Sequence, residues 1–111
     1  MYKLVFYVPV EYLESVKQAV FATGAGKIGE YESCCWQVLG IGQFRPLAGS
    51  TPYLGKVGSL SEEEEYRVEL VCDDSAIKQA IRALISAHPY EEPAYDAWQL
   101  AEFDQIGRAH V

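Results

Sequence analysis

The sequence predicts an α+β sandwich of the order β-α-β-β-α-β: a four-stranded antiparallel sheet with two helices on one face. Two observations carry that expectation. Segments rich in β-branched and aromatic residues recur along the chain. Two intervening segments place apolar residues at helical steps of three and four. With half of its 111 residues hydrophobic and 23% charged, the chain can bury one core.

Residues 2–8 form the first predicted strand, and Pro9 ends it. A helix is predicted from about Val10 to Thr23. Leu13, Val16, Val20 and Phe21 make its apolar stripe, Glu11 and Glu14 lie in its first turns, and Gly24 takes the C-terminal cap. The second strand is expected within Glu32–Phe44, centred on Cys34–Leu39. Arg45 to Ser61 reads as a loop, unusually long for a mere connection. Glu62–Glu65 reads as a solvated run at its foot. Tyr66–Cys72 is the third predicted strand. Asp73, Asp74 and Ser75 are candidate N-caps for a second helix reaching about Ala87, whose face is Ile77, Ala80, Ile81, Leu84 and Ile85. His88-Pro89 should stop that helix, and a last strand is expected at about Ala94–Leu100. Residues 1–100 thus form one domain, and 101–111 are expected to be a flexible tail.

Both parities of the first strand are apolar: Leu4, Phe6 and Val8 on one side, Val5 and Tyr7 on the other. The second strand shows the same, with Cys34, Trp36 and Val38 against Cys35 and Leu39. A sheet with one wet face should alternate apolar with polar. A cover over the second face is therefore expected, and self-association supplies it most economically.

Composition excludes several function classes. Net charge is −7, so a phosphate backbone is repelled on average and nucleic acid is not an expected partner. No apolar run approaches the length of a membrane span. The N-terminal residues lack the pattern of a secretory signal, which makes the cytoplasm the expected location. Three cysteines, two adjacent, make neither a disulfide framework nor a zinc site of familiar spacing. Buried thiols on strands are the simplest reading.

Gly24-Ala25-Gly26-Lys27-Ile28-Gly29 matches a dinucleotide fingerprint in letters only. A helix precedes it and a strand follows, the reverse of what that motif needs, so a cap and a glycine-permissive turn are expected instead. His88-Pro89-Tyr90-Glu91-Glu92-Pro93 packs an imidazole, a phenol and two carboxylates between prolines that stiffen the backbone. Such a segment suits nitrogen and oxygen metal ligation or acid–base chemistry. It also suits a purely structural helix stop, with His88 bonded to helix-end carbonyls or a neighbouring carboxylate and Tyr90 packed.

The segment from His88 to Asp96 resembles the signature of the CutA-like domain inserted in the Nif dimetal-binding family. Gly42-Gln43-Phe44-Arg45-Pro46 and Pro52-Tyr53-Leu54-Gly55-Lys56-Val57-Gly58 are similar to blocks of the same domain, in the same order, over about residues 2–100. The resemblance implies the ferredoxin-like, PII-like sandwich standing without the dimetal domain. It transfers no metal ligand, since this sequence holds only His88 and His110. In the families this sequence resembles, CutA and PII proteins form trimers. The PII-like ones bind small ligands in the clefts between subunits, beside the loop joining strands two and three, which here is about residues 45–61. The expectation is therefore a non-catalytic, oligomeric binding or regulatory module, most simply a trimer, with no resident cofactor. Its ligand-contacting candidates are Arg45, Tyr53, His88, Tyr90, Glu91 and Glu92. The alternative is a divalent-metal protein of the copper-tolerance kind, ligated by His88, Glu91, Glu92 and Cys34 or Cys35. A hydrolase activity borrowed from the longer relatives ranks last.

Overall fold

A computed structural model describes residues 1–103; the expected flexibility of residues 104–111, and His110 with them, lies outside the described residues. Four strands form one antiparallel sheet: β1 (Tyr2–Pro9), β2 (Trp36–Phe44), β3 (Ser61–Cys72) and β4 (Tyr95–Gln99). Their spatial order is β2-β3-β1-β4. Helices α1 (Leu13–Phe21) and α2 (Ile77–Ala87) pack side by side on one face. This is the predicted α+β architecture.

The core follows strand parity. Leu4, Phe6 and Val8 of β1 and Val68, Leu70 and Cys72 of β3 point to the helices and are buried. They meet Leu13, Val16 and Val20 of α1 and Ile77, Ala80 and Leu84 of α2. Past α1, Gly24 adopts φ +97°, and its N–H donates to the Phe21 carbonyl (3.0 Å). Gly26 then donates to the Val71 carbonyl at 2.8 Å, which stitches the glycine run to the sheet. A Cβ at Gly26 would meet the Phe21 ring at 2.8 Å, so this glycine serves close packing.

Several boundaries differ from the sequence reading, each for a local reason. Val10–Tyr12 forms a single 3-10 turn, and the α-helix begins only at Leu13. The residue before Ile77 is the N-cap, Ala76, with no side-chain cap; Asp73 instead closes a turn through its carbonyl to Ala76 N–H (3.0 Å). Cys34 and Cys35 precede β2 and are half-buried, so of the three thiols Cys72 alone is a buried strand residue. The four glutamates belong to β3. They pair with Gly40–Gln43, extending a two-stranded arm beyond the end of β1 at Pro9. Glu62 and Glu64 are exposed, as a solvated run requires, whereas Glu63 and Glu65 are half-buried.

Among the described residues no helix covers the second face of the sheet, yet Val5 and Val71 on it are only 2% and 7% exposed. Long side chains roof them. Glu69 pairs with Lys3 (3.7 Å) and with Arg67 (3.1 Å), and Arg67 donates to the Tyr7 hydroxyl (3.3 Å). At the edges of the same face Trp36 and Trp98 remain about half exposed. Cys34 and Cys35 fall outside β2, so the apolar character of that strand's second face rests on Trp36 and Val38. No described helix is long and apolar enough to cross a membrane.

Candidate binding site beneath the long loop

The β2–β3 arm, the loop that joins its strands, and the segment after α2 enclose a cavity of about 310 Å³. It opens on the helix-free face, because Tyr7, Phe44 and Glu65 share the parity of Val5. The loop closes on itself: Gly58 N–H donates to the Pro46 carbonyl at 2.7 Å, and Pro46 is buried. Two further bonds hold it to the body. Thr51 N–H donates to Glu91 Oε1 (3.0 Å), and the Tyr12 and Tyr53 hydroxyls share a hydrogen bond of 2.9 Å.

His88 anchors the third wall. It ends α2 in an extended conformation, as its position before proline requires. Its ring is buried, with Nε2–H donating to the Tyr7 carbonyl at 2.6 Å and Nδ1 accepting from Tyr90 N–H at 3.1 Å. These two bonds define the neutral ring, tautomer included. Burial holds its pKa below the usual histidine value, against the opposing pull of the Tyr7 carbonyl. The expected partners, helix-end carbonyls or a carboxylate, are therefore replaced by a strand carbonyl. The Tyr90 ring lies tilted against His88, 4.9 Å away, and within 6.3 Å of Tyr53 and Phe44.

Of the six ligand-contacting candidates, Arg45, Tyr53, Tyr90, Glu91 and Glu92 line this cavity. His88 stands behind Tyr90 with both ring nitrogens engaged. Cys34 and Cys35 lie elsewhere, in a shallow hollow with Lys3, Trp36 and Glu69. Burial raises the Cys35 thiol's pKa, away from the thiolate a metal or a nucleophilic reaction needs. Among the described residues, no three His, Cys, Asp or Glu side chains gather into a metal-binding group.

Sequence reasoning missed Tyr7, Gly42 and Glu65 as site residues. Glu65 could have been found by register: it stands two residues before Arg67 and so shares a face with it. Burial, and then the nearby Glu63, raise its carboxyl pKa. The Tyr90 phenol is pushed up to about 12 by burial first, then by Glu65 and Glu63, so it stays protonated at neutral pH. Its hydroxyl oxygen is buried and has no hydrogen-bond partner among the described residues.

The architecture is that of the CutA proteins. CutA from Xylella fastidiosa superposes with a TM-score of 0.66 at 17% identity, over 92% of this chain and 85% of that one. In sequence the chain is similar to part of a different group. A Bacillus cereus protein related to NIF3 is 39% identical with a TM-score of 0.78, over 91% of this chain and 26% of that one. Proteins named GTP cyclohydrolase 1 type 2 homolog are 47% identical over 100 residues in Bacillus subtilis and 46% over 98 in Mycobacterium leprae. Those matches take in 90% and 88% of this chain, which spans only about a quarter of either relative (27% and 26%). No family model matches the chain.

Proposed function

We propose that this chain is a non-catalytic binding module that takes a small molecule beneath the β2–β3 loop and acts as a homo-oligomer. The observation that carries it is the cavity: 310 Å³ is at the lower end of the range for small-molecule sites, and its walls are aromatic with a few convergent polar groups. The loop that roofs it is tied down at both Thr51 and Tyr53, so the site is preformed. Half-exposed Trp36, Val38 and Trp98 on the helix-free face support association of copies, with a trimer the expected number. The activity in the names of the longer relatives belongs to those proteins. In this chain the buried histidine has both nitrogens engaged and the half-buried Cys35 is held as a thiol, which favours binding over catalysis.

A thermal-shift screen of amines, amino acids, nucleotides and carboxylic acids tests the reading. A stabilising ligand whose effect disappears in Tyr53→Ala supports it. Failure of every compound, or turnover of one by the purified chain, overturns it. Light scattering at micromolar concentration should give a mass about three times the 12.4 kDa chain; a single-chain mass defeats the oligomer. Dialysis against copper, zinc and nickel tests the metal alternative, which needs stoichiometric uptake lost in Glu91→Gln.

A further inference from the structure

We infer that the ligand taken by this cavity is a small organic cation, a primary ammonium or guanidinium carried on a flat apolar body, with its charged head between the Glu65 carboxylate and the Tyr90 hydroxyl. The inference rests on the binding reading above and names the chemistry of that same site.

Three independent features converge. The first is the carboxylate. Among the described residues, Glu65 has no hydrogen-bond donor and no ion-pair partner, although it is half-buried in the cavity wall. A half-buried carboxylate without a partner has lost part of its hydration, and a cation placed against it restores what desolvation removed. The pKa rise at Glu65 is what such an unanswered carboxylate shows. The second is the glycine beneath it. A Cβ on Gly42 would stand 2.2 Å from Glu65 Oε1, so the carboxylate occupies the space that any other residue would fill. The absence of a side chain there leaves the room in which the Glu65 carboxylate lies.

The third is the unpartnered, buried Tyr90 hydroxyl. A hydroxyl oxygen accepts from an N–H, and its proton remains available for a second polar group on the ligand. Around this head the rings of Phe44, Tyr53 and Tyr90 supply π-faces, which attract cations and stack on flat bodies. The charge of the lining agrees: Glu65, Glu91 and Glu92 stand against the exposed Arg45. An anionic head at the Glu65 end would meet carboxylates instead of donors.

Isothermal titration with tyramine and phenethylamine, beside AMP and 2-oxoglutarate, tests the inference on the full chain. Tyramine should bind wild type, with at least tenfold weaker binding in Glu65→Gln. Tyr90→Phe should weaken it severalfold without lowering the melting temperature. Gly42→Ala should weaken it too, by displacing the carboxylate. If AMP or 2-oxoglutarate binds in a manner sensitive to Tyr53→Ala while both amines fail, the inference is overturned and the binding module stands. Amine binding that is unchanged in both Glu65→Gln and Tyr90→Phe also overturns it. If no probe of either charge binds, the inference falls, and failure of the wider screen then removes the binding reading as well.

Discussion

The two faces of the sheet bury apolar side chains by different means. On the helix side Leu4, Phe6, Val8, Val68 and Leu70 meet the aliphatic stripes of α1 and α2, with no ion pair among them. On the other side Val5 and Val71 are covered by a lattice of charged and phenolic chains, Lys3, Glu69, Arg67 and Tyr7. The first arrangement stabilises through close packing, which resists any change of volume. The second covers the same kind of residue with groups that can move, hydrogen-bond and meet a partner. The cavity opens on this second face, where its walls carry groups that folding alone leaves unanswered.

Substitutions should separate the two faces by size of effect. Phe6→Ala, in the helix-side core, should lower unfolding stability by roughly 3–5 kcal/mol in a denaturant titration. Tyr90→Ala, which removes a half-buried ring from the cavity wall, should cost roughly 2–4 kcal/mol by the same measurement. If Tyr90→Ala costs as much as Phe6→Ala, the cavity wall is as much a core as the helix side, and the contrast fails. His88→Gln should cost about 1–3 kcal/mol, because the Tyr7 carbonyl and the Tyr90 N–H lose a shared partner.

His88 also predicts a pH dependence. Its folded pKa lies below the ordinary value near 6.5, so the unfolded chain takes up the proton first. The contribution is fully present above about pH 6.5 and is lost as pH falls through the folded value. Melting temperature should therefore decline on acidification below pH 6.5, with a shallower decline in His88→Gln. An equal slope in both proteins would place the acid sensitivity elsewhere. Smallest of all, Glu65→Gln should raise the melting temperature slightly at neutral pH. Its folded carboxyl has a raised pKa, so ionisation works against the fold once pH exceeds the unfolded value. A lower melting temperature for Glu65→Gln would show that the carboxylate is answered by a partner.

The helix-side face was almost wholly legible in the sequence, because strand parity and helical spacing are local signals that read directly on Leu4, Phe6, Val16 and Leu84. The arm was not. Four consecutive glutamates carry no strand propensity, and only pairing with Gly40–Gln43 makes them β structure, a tertiary effect that overrides the local preference. The spacing of Glu65 from Arg67 gives its face, whereas its burial depends on the arm that places it in a cavity wall. Tyr53 stands out in the sequence by resemblance, and Tyr90 and Glu91 by their flanking prolines as well, but in two separate blocks whose meeting point depends on where the loop lands. His88 was identified as a helix stop, whereas its bond to the carbonyl of Tyr7, 81 residues away, carries no sequence signal.

The position of β1 bears on how the chain reaches this state. The earliest of these four strands in the chain lies between β3 and β4, and Tyr2 faces both Cys72 and Gln99. A nascent chain can close the β2–β3 hairpin as soon as its two arms emerge, but β1 must wait for partners made much later. Loop closure over such separations precedes any reward from pairing, which slows folding relative to folds built on local contacts. Because the cavity walls draw on Tyr7 and Tyr90 alike, no partial chain holds the site. The pocket is complete only when this central strand, which precedes the other three, has received its last neighbour.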